Sequence, residues 1–287
     1  MPEGDTVYQA ARRLDAALVG RALESSKFRL QGYGSLDLTG CKVGSVVSRG
    51  KHLLIRAGGL SIHSRMTLAG RWDVYATGER SRVPASRADL VLRNNAFQAV
   101  GFALEYLEVI RTTDEPRAVG HLGPDPLGHS WDPAEAARRL ASDPARPIGL
   151  ALLDQRLIAG LGNVYRSEIL FLARTNPRTP AGEVQDMAKI VDLAHKLLHA
   201  NKDRVRRSTA PASLGAPYSV YARAGLPCPR CEDPVVHETF DASAPDGSAA
   251  IGGQDLYWCP QCQPLPSDEA GGVLSASAVP GTAGRLP

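Results

Sequence analysis

The chain opens Met-Pro-Glu-Gly-Asp. Removal of Met1 would leave Pro2 with a secondary amine whose ordinary pKa, roughly 8, keeps a useful fraction unprotonated at neutral pH. An amine of that kind attacks a sugar or carbonyl carbon to form an iminium, and Glu3 stands beside it to move protons. Two residues are a weak signal on their own. Further along, SRGKHLLIR (48–56) sets Lys51 just after a glycine, where a β-hairpin would present its ammonium. Taken singly, such a lysine reads as a solvated surface charge.

CPRC (228–231) and CPQC (259–262) give the strongest spacing. Each pair places two thiolates on one turn, and Cys228, Cys231, Cys259 and Cys262 together close a tetrahedral zinc site. Four sulfur ligands leave no position for water, so this Zn2+ is expected to be structural. The pairs lie 27 residues apart, more than the usual ~15–20, and the excess falls in DASAPDGSAAIGGQ. Cys41 stands alone and is expected to be a small buried hydrophobe.

LLDQRLIAGLGNVYRSEILF (152–171) reads as helix, glycine turn, helix, with Asn163 at the N-cap of the second helix. The exposed N–H groups of that helix start would bind a phosphate. An ordinary helical hairpin with an asparagine cap fits the same residues equally well. His52, His63, His195 and His199 form no metal-ligand set.

The elements that must position these groups divide the 287 residues into two modest domains and a zinc module. Residues 6–19 carry apolar positions at helical spacing. Residues 21–118 break into short runs separated by Gly, Pro or Asn, a mostly β region. HLGPDPLGHSWDP (121–133) is the connector, followed by helices expected over 133–141, 148–157, 164–173 and 184–200, then a linker over 208–217. VVHETF and DLYW read as the two strands of a hairpin. Residues 265–287, rich in Gly, Ala, Ser and Pro, are expected to be disordered. Hydrophobic residues make up 43% and charged residues 22%; no signal segment or membrane span is visible, which leaves a cytoplasmic location. The net charge of +3 is uneven. Residues 1–118 hold 17 Lys/Arg against 12 Asp/Glu, residues 174–218 hold 8 against 4, and residues 219–264 hold 2 against 6. Two basic regions suggest a polyanion, and an acidic module follows them.

MPEGDTV, SRGKHLLI, LGPDPL, LLDQRLIAGLGNVYRSEIL and the paired CxxC module occur in the order and approximate spacing of the formamidopyrimidine-DNA glycosylase/endonuclease VIII family. Residues 1–264 resemble it, most of all its actinobacterial endonuclease VIII-like members. The resemblance implies an α+β protein. An N-terminal catalytic β-sandwich with a flanking helix would span 1–118 and a linker 119–130. A helix–two-turn–helix DNA-binding domain would span 131–218 and a zinc-finger β-hairpin 219–264. It implies a monomeric DNA glycosylase with abasic-site lyase activity that acts on damaged DNA and removes oxidised bases, pyrimidines foremost.

Residue by residue, Pro2 matches the nucleophile, Glu3 its proton-handling neighbour, Lys51 the hairpin lysine and Asn163 the phosphate-binding asparagine. Leu68, in MTLAG (66–70), matches a wedge that fills the space of the extruded base. His121 stands at a basic DNA-contacting position. The family's arginine near the finger tip is replaced by Gln254. A lesion-binding protein without turnover on the same fold is the rival reading.

Overall fold

The computed structural model describes residues 2–29, 33, 36–79, 83–240 and 254–264. Helix α1 (Gly4–Leu18) starts two residues before the spacing predicts, because Glu3 is its extended N-cap. Val7, Ala10, Ala11, Leu14 and Leu18 form its buried stripe, as read from the sequence.

Strands β1 (Ser25–Phe28), β2 (Val43–Arg49), β3 (His52–Ala57), β4 (Leu60–Ala76), β5 (Leu90–Arg93) and β6 (Phe97–Arg111) form one antiparallel sheet. Its order is β1-β5-β6-β4-β3-β2. The pairing of β4 with β6 runs from Leu60 opposite Arg111 to Ala76 opposite Phe97, with its register broken between Met66 and Arg71. The sheet folds over at that break, and the two halves face each other as a sandwich. Val46, Leu53, Ile55 and Ile62 from one half meet Trp72, Leu90, Leu92 and Ala99 from the other, with α1 packed along them. Residues 67–70 have no partners in β6 and bulge outward. Cys41 corrects the expectation of burial: it is half-exposed and packs on the edge of this core.

After α2 (Glu115–Val119) the chain crosses to a helical unit of α3 (Pro133–Leu140), α4 (Ile148–Ala151), α5 (Asn163–Ala173) and α6 (Met187–Asn201). Leu140, Ile148, Leu152, Leu161, Ile169 and Leu198 are among its buried core. The helix expected over 148–157 stops at Ala151. Asp154 ends it: its carboxylate accepts the Arg156 N–H at 3.0 Å and the guanidinium groups of Arg146 and Arg156. A side chain that bonds its own backbone two residues on competes with the helix. The stretch that follows is the two-turn link to α5. Residues 208–217, expected to be a plain linker, are tethered instead. Fully buried Glu168 accepts from Thr209 Oγ1 at 2.7 Å and from the N–H groups of Ser219, Val220 and Tyr221 at 2.8–2.9 Å.

The last unit is the hairpin of β7 (Val236–Phe240) and β8 (Gln254–Trp258), in the two runs expected. It is fixed to α5. Arg166 donates to the Asp255 carbonyl at 2.7 Å, and the Tyr257 N–H donates to Ser167 Oγ at 3.3 Å. Arg178 forks onto Glu238 at 2.7 Å through both nitrogens. Most of the long insertion (241–253) and the tail (265–287) lie outside the described residues. Among those described, no helix is long and apolar enough to cross a membrane.

Candidate active site

Glu3 is fully buried. Its Oε2 accepts the Gly162 N–H at 2.7 Å and the Tyr165 N–H at 3.4 Å, while Oε1 accepts the Val164 N–H at 2.9 Å. The carboxylate of one unit thus occupies the helix start of the other, where unpaired N–H groups favour negative charge. Arg207 adds a guanidinium 3.7 Å from Oε1 and forks onto Asp5. The N-cap of α5 is therefore Gly162, with Asn163 the first helical residue, which corrects the cap assigned from sequence. Gly162 is required here: a Cβ would lie 2.6 Å from Glu3 Cδ.

The β2–β3 turn is docked at the same place. Gly50 donates its N–H to Asp125 Oδ2 at 2.7 Å, and Arg49 Nη2 donates to the Gly123 carbonyl at 2.9 Å. Gly160, at φ +93°, brings its backbone against both Gly4 and Gly50, and a Cβ on Gly50 would meet Ala159 Cβ at 2.9 Å. These contacts bring the turn that carries Lys51 and the helix start that carries Asn163 against the first residues of the chain. Pro2 is half-buried directly before Glu3. Burial pulls the Lys51 ammonium below the ordinary lysine range, opposed by Glu3 and reinforced by Arg65, Arg207 and Arg166. Burial of this kind makes the amine easier to deprotonate than that of an exposed lysine. Asn163 keeps a buried side-chain Oδ1 with no partner among the described residues. Since Glu3 takes three of the N–H groups at this helix start, a phosphate here would meet Asn163 and not an open helix end.

A cleft of about 570 Å³ runs from Lys51 along His52, His63, Arg65, Arg117 and His121. His121 is exposed on its rim. Leu68 protrudes from the β4 bulge, 78% exposed. His195 and His199 both bond to the Pro126 carbonyl, at 3.0 and 3.1 Å, and hold the connector. The sequence reading missed Arg207, Glu168 and the pairing of His52 with His63. The first two act across 202 and about 50 residues of chain with no local signal. The histidine pair was legible in principle from strand register.

Cys228, Cys231, Cys259 and Cys262 bring their sulfurs within 4.8 Å of one another, a cluster that could hold a metal ion. Cys228 and Cys262 are 3.8 Å apart and Cys231 and Cys259 3.4 Å. A tetrahedron with metal–sulfur bonds of about 2.3 Å has edges of about 3.8 Å, so the donor set fits zinc in size and in chemistry. The Arg230 N–H points at Cys228 Sγ at 3.5 Å, as a knuckle around a thiolate requires. Gln263 ties the cluster to the helical unit, donating to the Thr175 carbonyl at 2.8 Å.

Comparison with known proteins agrees with this architecture. The formamidopyrimidine-DNA glycosylase N-terminal domain matches residues 1–120, and the H2TH domain of formamidopyrimidine-DNA glycosylase matches residues 122–207. "Probable endonuclease 8 2" of Streptomyces coelicolor is 49% identical, over 95% of this chain and 97% of that protein. The "DNA-(apurinic or apyrimidinic site) lyase Nei2" of Mycolicibacterium smegmatis is 41% identical, over 92% and 99%. Among solved structures, MutM in complex with DNA containing carbocyclic 8-oxo-G superposes with a TM-score of 0.74 at 23% identity, over 91% of this chain and 99% of that one. Shared sequence along nearly the whole chain, on the same sandwich and helix–two-turn–helix frame, makes this protein a member of the formamidopyrimidine-DNA glycosylase/endonuclease VIII family.

Proposed function

We propose that the protein is a bifunctional DNA repair enzyme: a glycosylase that removes oxidised bases, pyrimidines foremost, and a lyase that cuts the strand at the resulting abasic site. The observation that carries this reading is the buried carboxylate of Glu3, the residue after Pro2, held by the start of α5 with the Lys51 hairpin docked against the same turn.

The Pro2 nitrogen attacks C1′ of the damaged nucleotide once the base has left the stack. The C1′–base bond breaks, the base departs with a proton, and the sugar ring opens to an iminium. Glu3 moves the ring-oxygen proton. The iminium acidifies C2′, and loss of that proton expels the 3′ phosphate. Lys51, with its lowered pKa, meets the phosphate beside the lesion and assists this elimination. Asn163 binds a backbone phosphate, Leu68 fills the vacated stack and His121 contacts DNA at the rim. The four cysteines would hold one structural Zn2+ and keep β7 and β8 in place. The proposed extents are 1–118 for the sandwich, 131–218 for the helical domain and 219–264 for the finger.

A nicking assay tests the proposal, on duplexes carrying an abasic site, thymine glycol, dihydrouracil or 8-oxoguanine. Cleavage of the abasic duplex and of one or more oxidised pyrimidines is expected. Tight binding to all with cleavage of none would favour the lesion-binding protein without turnover.

A further inference from the structure

The outer face of the sandwich carries titratable side chains that this chemistry leaves unused. Strand register gathers them. His52 on β3 stands opposite Arg65 on β4, and His63 on β4 stands opposite Glu108 on β6. Alternation along each strand sends all four to one face. Three of them close into a chain, with His63 Nδ1 at 2.9 Å from Glu108 Oε1 and His63 Nε2 at 2.7 Å from His52 Nδ1.

The partners dictate the protons. An ionised carboxylate only accepts, so His63 carries its hydrogen on Nδ1 and offers a lone pair at Nε2. His52 then donates from Nδ1, and its Nε2 is left as the chain's open lone pair, with no partner among the described residues. Both rings line the cleft that holds Lys51, Arg65, Arg117 and His121, a lining that suits an anion.

We propose that the His52–His63–Glu108 chain makes phosphate binding proton-coupled: a DNA phosphodiester that enters beside Lys51 is bound together with one solvent proton, taken up at His52 Nε2. The lone pair becomes an N–H that donates to a phosphate oxygen, and no other covalent bond changes. Before the anion arrives the proton is kept off. Burial, then His63, Arg65, His121 and Lys51, pulls His52 down to about 3. A phosphate offsets the repulsion from Arg65 and Lys51 and gives the new N–H an acceptor, which favours the protonated ring.

Glu108 supplies the charge that supports a protonated pair from the far side. Against the cost of burial, bonds from His63 and Tyr106 hold its carboxyl below the usual range. The facing groups are Lys51 on the β2–β3 turn, Arg65 on β4, Tyr106 and Glu108 on β6, and Asp114, Arg117 and His121 around α2. Glu115 also senses His63. His52 is in this view a positioning residue for phosphate, selective for acidified conditions.

The inference rests on the nucleic-acid reading of the cleft, and the test separates the two. The probe is a duplex with a tetrahydrofuran abasic analogue, which binds without forming an iminium. Calorimetry at neutral pH in buffers of different ionisation enthalpy counts the protons exchanged. The full-length wild type should take up about one proton more than His52→Asn. Its affinity advantage over that variant should grow by up to about tenfold per pH unit between about pH 8 and pH 6. Lys51 is present in both proteins, so its own proton uptake cancels. Equal counts would overturn the proposal. So would an unchanged His52 Nε2 signal in ¹⁵N spectra of the wild type when duplex is added, a reading that needs no variant. No binding of the duplex by the wild type at any pH would remove the DNA reading, and this inference with it.

Discussion

At its first turn α5 holds a side chain, Glu3, by three of its own backbone N–H groups. One turn further along, Arg166 on the same helix holds the finger, but only through the carbonyls of Gln254 and Asp255, at 3.4 and 2.7 Å. The first contact specifies a carboxylate and the glycine that leaves room for it. The second specifies a main-chain path. A glutamine can therefore stand where the family resemblance leads one to expect arginine, with the finger still docked. Its neutral amide lacks the fork and the permanent charge that grip phosphate. The difference separates a contact that fixes a side chain and its neighbour from one that fixes only a main-chain path.

The hardest blow to that contrast would come at Gly162. Gly162→Ala drives a methyl group into Glu3 Cδ. Displacement of a proton-transfer group by about 1 Å costs on the order of 100-fold in rate, so single-turnover base excision should fall by at least that much. Near-normal rates would mean that Glu3 is not held as described.

Next in size is the metal. Structural zinc contributes on the order of 10 kcal/mol of apparent binding energy. Cys228→Ser or Cys262→Ser should lose one zinc per chain by metal analysis and weaken DNA binding by more than about tenfold, while the sandwich stays folded by circular dichroism. Purified, reduced wild type without zinc would refute the assignment.

Gln254→Arg sharpens the main-chain side of the comparison. One added phosphate contact should tighten binding several-fold and steepen the salt dependence of log K by about one unit. It should also raise the share of 3′-phosphate ends over unsaturated aldehyde ends on a cleavage gel. Mostly 3′-phosphate ends from the unmutated protein would show that another cation already does this work.

The smallest effect is expected at Leu68. It is 78% exposed, so Leu68→Ala should leave the melting temperature within about 1 °C. Excision of a paired oxidised base should slow by a few-fold, and cleavage of a ready-made abasic site should not change.

Much of this was legible in the chain. Short strand-length runs, the helix read over 6–19, the paired CxxC and the glycine before Lys51 are local signals, and the structure has a strand, helix or turn at each. What was not legible is long-range or conditional. Glu3 meets Gly162 and Val164 across about 160 residues, and its carboxylate turns an open helix start into an occupied one. The helix that ends at Ala151 stops because Asp154 bonds its own backbone, which apolar spacing does not register. Glu168 organises residues 209–221 through four donors that no pattern announces.

The central claim is that Pro2 is the nucleophile, seated beside Glu3 and Lys51. It is tested most directly by adding borohydride to the protein with abasic-site DNA, because an iminium is reducible to a stable amine while other adducts are not. The account predicts a trapped complex whose crosslinked peptide begins at Pro2, weakened in Pro2→Gly and absent when Met1 is retained. Equal trapping by a protein with a blocked N-terminus would move the nucleophile to a lysine and contradict it.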